Sequence, residues 1–212
     1  LEPVAFARPD LLPPPHGSLI SRVHYTDRTP FQYAPHMTAL ATEGQEDALF
    51  KYEGFEHLEE VAQVSDLLFI EGEFLIDEFR RGGCLRHRRD LPENAFYRGR
   101  LHDATIVSIS HMWETDEPDP SGRKLQTIAP LIQPFVSYMK SLGETGRIVF
   151  FVDFMSLWHP ADSSADQESF RRATSKMHVM YGHREIYVWM LTARDEGNDR
   201  PAFHKRGWCF FE

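Results

Sequence analysis

The sequence predicts an α/β domain in which a parallel sheet is flanked by helices. This prediction depends on three short apolar runs, at 104–109 (ATIVSI), 148–152 (IVFFV) and 186–191 (IYVWML). Two segments with apolar residues at helical spacing, 123–142 and 167–183, separate these runs. A continuous apolar strand needs burial on both faces, and helical crossovers join strands that run in the same direction. The order strand, helix, strand, helix, strand therefore predicts a parallel sheet covered by helices.

Composition and charge restrict the class of protein. The 212 residues are 42% hydrophobic and 26% charged, close to the globular average of about 45–50% and about 25%. The net charge of -9 opposes binding to nucleic acid phosphates, so no nucleic acid partner is expected. Cys84 and Cys209 are the only cysteines, which favours a reducing compartment such as the cytoplasm. No apolar run approaches the roughly 20 residues of a membrane-spanning helix.

The first half of the chain, 1–102, is predicted to be an extension that precedes the α/β domain. Residues 1–35 are rich in proline and lack periodicity, which predicts an extended arm lying on a surface or on a partner. Residues 46–64 have apolar residues at roughly helical spacing and predict one or two short helices. Residues 67–79 fit a strand or a helix, and the glycine pair at 82–83 ends that element.

The α/β domain is predicted to span 103–212, and prolines complicate its first helix. Pro130 and Pro134 both fall within the amphipathic segment 123–142. Proline has no backbone N–H and clashes with the preceding turn when it lies inside a helix. We therefore expect a loop or short turn first, with the helix beginning at about one of the two prolines.

One basic cluster, at 80–89 (RRGGCLRHRR), is interpreted as a solvated or ion-paired face. Acidic residues at 71, 73, 77 and 78 precede it and are sufficient to neutralise it. A phosphate contact is the alternative.

Candidate site residues follow the predicted strands, because ligands of open parallel sheets bind outside the carboxyl ends of the strands. Ser110, His111 and Trp113 follow the first strand, and Asp153 and Trp158 follow the second. Aromatic faces can stack on a base, acids can bind ribose hydroxyls, and hydroxyl groups can bind phosphate. These residue types predict a nucleotide or sugar site. The alternative is that the loops are merely polar and that the tryptophans pack in the core.

A divalent metal site is a weaker alternative at the same edge. Its ligands would be nitrogen and oxygen atoms of His111, Glu114, Asp116, Asp153 and His159. Because no dense metal-binding motif is present, hydrogen-bonding roles for these histidines are favoured and no metal is expected.

Several of these features together resemble TIR-like domains, including the heterokaryon-incompatibility type. They are 110–114 (SHMWE) with 118–120 (PDP) after the first strand, Asp153 at the end of the second, and the Trp-Cys-x-x-Glu pattern at 208–212 after the third. The last pattern is the most specific. The resemblance covers 103–212.

The resemblance implies a flavodoxin-like parallel sheet. It also implies that Glu212 is the carboxylate that cleaves the nicotinamide glycosidic bond of NAD in the enzymatic members. Ser110, Trp113 and Trp158 would then line the pocket, with Trp158 as a stacking platform. TIR-like domains have further strands after this glutamate, so we expect either that the chain continues past Glu212 or that the domain is shortened.

The sequence therefore predicts a TIR-like domain that binds or hydrolyses a nicotinamide dinucleotide. The alternative is a non-catalytic interaction module or a subunit of a larger assembly, in which the proline-rich arm wraps a partner. Protein partners or self-association are expected in either case.

Overall fold

The computed structural model describes residues 20–23, 54–111, 117–144, 146–159 and 163–191. Within these ranges the strands are β1 Ile20–Val23, β2 Ile70–Glu71, β3 Thr105–Ser110, β4 Ile148–Phe151 and β5 Ile186–Leu191. The helices are α1 Phe55–Val64, α2 Gly72–Arg80, α3 Arg123–Ser141, α4 Asp153–Ser156 and α5 Ser164–Gly182, with 3₁₀ turns at Arg88–Asp90, Glu93–Ala95 and Leu101–Asp103.

The sheet has a parallel centre and antiparallel edges. Its strand order is β1-β5-β3-β4-β2, with β3 parallel to both β4 and β5. Ile106 on β3 pairs with Val149 on one side and with Ile186 on the other. The predicted parallel core with flanking helices is confirmed. The two antiparallel edge strands, β1 and β2, make the whole sheet mixed, which the apolar runs did not indicate.

Both faces of the sheet are buried, as continuous apolar strands require. All six residues of β3 are buried. Side chains alternate between the two faces along a strand, so Val107 and Ile109 lie in one apolar cluster and Ile106 lies in the other. The first cluster contains apolar residues of α2 and α3, and the second contains those of α1 and α5. The described residues thus form three layers, helix on sheet on helix.

The two crossover helices lie on opposite faces because the chain reverses direction across the sheet. The connection from β3 through α3 leads to β4 on one side of β3, and the connection through α5 leads back past β3 to β5. Crossovers between parallel strands are almost always right-handed. Two right-handed crossovers that step in opposite directions must cover opposite faces, and α3 and α5 do so.

The prediction that the first crossover helix begins at about one of its prolines is wrong. α3 is helical from Arg123 to Ser141, with Pro130 and Pro134 inside it. Each proline leaves the carbonyl four residues earlier without its helical partner; these carbonyls belong to Gln126 and Pro130. Both of these residues are exposed, so water can hydrogen-bond to the carbonyls while the opposite face packs on the sheet.

The second crossover helix is confirmed, and it begins before residue 167. α5 starts at Ser164, and the preceding Ser163 caps it by accepting a hydrogen bond from the Asp166 N–H at 3.1 Å. An N-terminal serine of this kind satisfies one of the free N–H groups in the first helical turn.

The part of the chain before residue 103 contributes to both the sheet and its helix layers. Residues 67–79 contain a strand and a helix in succession, since β2 pairs with β4 and α2 follows at once. In the segment 46–64 the structure describes one helix, α1, and residues 46–53 lie outside the described residues. Of the predicted arm 1–35, only the backbone of β1 is described. No helix in the described ranges is long and apolar enough to cross a membrane.

The buried centre of the sheet predicts a large effect of truncation at Phe150. This side chain is 0% exposed and packs edge-on against Trp189 with ring centroids 5.6 Å apart. We expect Phe150→Ala to lower the free energy of unfolding by about 3–5 kcal/mol, because apolar contacts are lost and a cavity remains. Phe79→Ala, at a side chain that is 38% exposed, should cost less than about 1 kcal/mol. Urea denaturation of both variants measures the difference; equal losses would contradict the central position of Phe150.

Candidate functional site

The carboxyl ends of β3 and β4 lie side by side, and two sequence-predicted residues meet there. His111 follows β3 directly, and Asp153 begins α4 just after β4. Nε2 of His111 lies 2.9 Å from Oδ1 of Asp153. A carboxylate only accepts hydrogen bonds, so Nε2 carries the proton in this contact. The same Oδ1 accepts the backbone N–H of Phe154 at 2.7 Å, which fixes the orientation of the carboxylate.

Ser110, the last residue of β3, is 0% exposed. Strand alternation places it on the same side of the sheet as Ser108, whose hydroxyl donates to the Met180 carbonyl of α5. The candidate serine is therefore enclosed beneath the edge rather than open at its surface.

Trp158 lies at the same edge, and its indole is held in place by two contacts. The guanidinium carbon of Arg88 is 4.3 Å from the centre of the Trp158 ring, close enough for a cation–π interaction. The indole N–H donates to Oδ2 of Asp66. The side chain is half-buried, so the residue predicted to be a stacking platform is fixed in orientation and partly accessible.

Arg88 joins three separate segments at this edge. Its guanidinium donates to the Asp66 carbonyl, to Oδ1 of Asp66 at 3.2 Å and to the Ser156 carbonyl at 3.1 Å. The side chain is only 5% exposed. Burial lowers the pKa of Arg88 below its ordinary value, and the Asp66 charge opposes that shift. Arg88 thus connects the turn after α1, its own 3₁₀ turn and the end of α4.

A row of aromatic rings links His111 to the segment that contains Arg88. Phe154 packs edge-on against both His111 and His87, with ring centroids 5.1 and 6.3 Å away. His87 also packs edge-on against His159 at 5.1 Å. Burial, followed by the nearby His159, lowers the pKa of His87 below its ordinary value of 6.5. His87 is therefore a neutral imidazole at neutral pH.

The arginines of the basic cluster are ion-paired, as the sequence interpretation has it, including the exposed Arg89 with Asp90 and the buried Arg88 with Asp66. Arg80 pairs with an aspartate at 77, while Arg81 and Arg86 both pair with Glu78. His87 and Arg88 are buried at the candidate site. The residues on either side of them, Arg86 and Arg89, are charged, so the local pattern held no signal for their burial.

A small cleft of about 90 Å³ opens beside this row of rings. Cys84 and His87 line one part of it, and the loop 117–120 lines another. Asp119 joins the two parts, because its Oδ2 accepts the Leu85 N–H at 3.2 Å. The Asp119 carboxylate also accepts the backbone N–H groups of Lys124 at 3.0 Å and Leu125 at 3.2 Å, at the start of α3.

A second, larger cleft lies at the opposite edge of the sheet. It measures about 550 Å³ and adjoins Ile148, the first residue of β4. Its wall includes Glu71 and Arg147, which form an ion pair at 2.6 Å. The sequence-predicted residues do not line this cleft.

Two sequence-predicted site residues, Trp113 and Glu212, lie outside the described residues. Glu114 and Asp116 of the metal alternative do so as well. Among the residues that are described, no group of three or more histidine, cysteine, aspartate or glutamate side chains is arranged to hold a metal ion.

Comparison with protein-family models, with curated proteins and with solved structures finds no match to this chain.

The contacts of Arg88 predict that its replacement destabilises the fold. Arg88→Met keeps an unbranched, flexible side chain but removes the guanidinium, so the Asp66 carbonyl loses this donor and the Ser156 carbonyl keeps the Leu68 N–H. We expect the free energy of unfolding to fall by about 2–3 kcal/mol, the cost of hydrogen bonds lost at buried acceptors. Arg80→Met removes an exposed ion pair and should change stability by less than about 0.5 kcal/mol. Urea denaturation of both variants checks this, and similar stabilities would show that Arg88 does not hold the three segments together.

The lowered pKa of His87 predicts a pH dependence of stability. When pH falls below about 6.5, the unfolded chain protonates this imidazole while the folded chain keeps it neutral. Because only the unfolded state binds this proton, the free energy of unfolding decreases as the pH falls toward the pKa that His87 has in the folded chain. We expect His87→Phe to lose part of this acid-side decrease, and His102→Phe, at an exposed histidine, to lose less of it. Thermal melting between about pH 7.5 and 5 measures both slopes; an unchanged slope in His87→Phe would contradict the assignment.

Proposed function

We propose that this chain is a TIR-like domain with a flavodoxin-like sheet, which binds a nicotinamide dinucleotide at its carboxyl edge and hydrolyses the bond to nicotinamide. The observation that supports this proposal is the arrangement of the three parallel strands. Along the chain, the first of them is central, the second lies on one side of it and the third on the other. Flavodoxin-like sheets begin with this same order and bind their ligands at the carboxyl ends of the strands.

The groups at this edge suit the parts of a dinucleotide. Trp158 offers an indole whose orientation is fixed by Arg88 and Asp66, and such a ring can stack on a planar heterocycle. The His111–Asp153 pair supplies polar atoms that are already oriented by their mutual hydrogen bond. Trp113 belongs to the same proposed pocket on the strength of the family resemblance, whereas Ser110, which the resemblance also implies, is enclosed beneath the edge.

The proposed reaction needs one carboxylate. The bond between the ribose carbon and the nicotinamide nitrogen breaks, and nicotinamide leaves as a neutral molecule because it was cationic when bound. A carboxylate near the ribose stabilises the positive charge that develops on the sugar. We assign this role to Glu212. Water then bonds to the ribose carbon and releases a proton to solvent, which yields ADP-ribose.

A second candidate function is a non-catalytic interaction module. The specific observation in its favour is the close packing of the carboxyl edge, where Ser110 is 0% and His111 is 7% exposed. The larger cleft of about 550 Å³ lies at the other edge. In this alternative the sheet is a scaffold and the chain acts through protein partners or self-association.

Incubation of the purified chain with NAD, with nicotinamide and ADP-ribose quantified by chromatography, tests the proposed function. We expect turnover that falls by at least about 100-fold in Glu212→Gln, because the charge that stabilises the transition state is removed. Glu60→Gln, at an exposed glutamate of α1, should keep full activity. Absence of turnover and of NAD binding in the wild-type chain, also when it is concentrated enough to self-associate, would support the interaction module instead.

A further inference from the structure

The cleft of about 550 Å³ lies between α2 and α3 and is here named the α2–α3 groove. Among its lining residues, Phe74 of α2, Ile132 of α3 and Ile148 of β4 are buried, so they form the floor. Glu73 and Asp77 of α2 also line it and are exposed, so they stand at the rim. The described residues of the proposed dinucleotide site do not line this groove. The groove is therefore distinct from the described part of that site.

The wall that α2 contributes is long enough for a short extended peptide. Glu73, Asp77 and Arg81 line the groove at intervals of four residues, the spacing of neighbours on one face of a helix. A helix rises about 1.5 Å per residue, so this wall extends for about 12 Å. An extended chain advances about 3.3 Å per residue, so the wall matches about four residues of a peptide.

The two guanidinium groups in the described lining of the groove are already paired. Arg147 pairs with Glu71 at 2.6 Å, and its guanidinium carbon lies 5.1 Å from the centre of the Tyr97 ring. Arg81 pairs with Glu78 at 2.5 Å. An anionic ligand would have to compete with these carboxylates for both guanidinium groups. The groove is therefore a poor site for a phosphate or a carboxylate.

The two carboxylates on the α2 wall are available by contrast. Glu73 has no ion pair within the ranges that the structure describes. Asp77 pairs with Arg80 at 3.1 Å, and both side chains of this pair are more than half exposed. Exposed ion pairs stabilise little. The Cβ atoms of residues four apart on a helix are about 5–6 Å from each other, so the wall offers a cationic ligand two carboxylates at about that spacing.

We propose that the α2–α3 groove binds an extended basic segment of a partner protein, in which lysine or arginine side chains at two alternate positions pair with Glu73 and Asp77. Alternate side chains of an extended chain point to the same side and are about 6–7 Å apart, close to the spacing of the two carboxylates. The net charge of -9 favours a basic partner over a second copy of this chain, because like charges repel. The inference does not depend on the binding of NAD.

Two peptides of the same composition and charge separate the spacing of the lysines from a general attraction to an acidic protein. In Ala-Lys-Ala-Lys-Ala the lysines are at alternate positions, and in Ala-Ala-Lys-Lys-Ala they are adjacent. Adjacent side chains of an extended chain point to opposite sides, so the second peptide can place only one lysine against the α2 wall. Both peptides are acetylated at the N-terminus and amidated at the C-terminus, so that only the lysines carry charge.

Ligand-observed NMR titrations with each peptide, at low salt so that exposed charges are little screened, test the inference. We expect the wild-type protein to bind the alternating peptide about threefold more tightly than the adjacent one, the effect of one additional exposed ion pair. The double variant Glu73→Gln, Asp77→Asn should bind the alternating peptide about tenfold more weakly than wild type does, because two such pairs are lost. It should also bind the two peptides equally.

The matched control changes two glutamates of α1. Glu56 and Glu60 are exposed and are also four residues apart, and Glu56 lies in the first turn of its helix as Glu73 does. The double variant Glu56→Gln, Glu60→Gln removes the same charge from the chain and should keep the preference for the alternating peptide. Circular dichroism shows whether each variant keeps its fold.

Every other result overturns the inference. If the wild type binds neither peptide, or binds both equally, the groove does not distinguish the spacing of the lysines, whatever the folding of the variants. If the α1 variant loses as much affinity as the α2 variant, the peptide is attracted to acidic helices in general. If the α2 variant keeps the wild-type affinity, Glu73 and Asp77 do not bind the peptide.

Discussion

Parallel pairing of β3 with both β4 and β5 is the constraint on which the other features depend. A strand that is buried at all six positions needs a neighbour on each side and a helix layer on each face. The chain meets both requirements by stepping from β3 to β4 and then back across the sheet to β5. This path places α3 and α5 on opposite faces, and it brings His111 within 2.9 Å of Asp153 where β3 and β4 end.

The sequence was sufficient to predict the parallel core because burial on both faces leaves a local pattern. The apolar runs at 104–109 and 186–191 match β3 and β5 to within one residue at each end. Candidate site residues were expected directly after the strands, and His111 and Asp153 are two of them. In the structure these two side chains form a hydrogen bond. Both inferences needed only the periodicity of the side chains and the geometry of parallel sheets.

What the sequence could not predict depends on contacts between distant segments. Arg88 follows exposed arginines in the sequence, and it can be buried because Asp66 and the Ser156 carbonyl accept hydrogen bonds from its guanidinium. The antiparallel edge strand β2 is two residues long, too short to leave a periodic pattern, and is defined by its pairing with β4. The helix α3 tolerates two prolines because the carbonyls they free lie on its exposed side. Local propensity alone argues against a helix at these prolines, and tertiary packing overrides it.

Asp119 has a mechanical consequence for the cleft beside His87. One carboxylate accepts N–H groups from Leu85, in one wall, and from Lys124 and Leu125, at the base of the other. The walls cannot drift apart unless these hydrogen bonds break, so the width of the opening is set in advance. A cleft of fixed width admits or excludes molecules by their size. Binding in such a cleft does not include the entropic cost of ordering its walls.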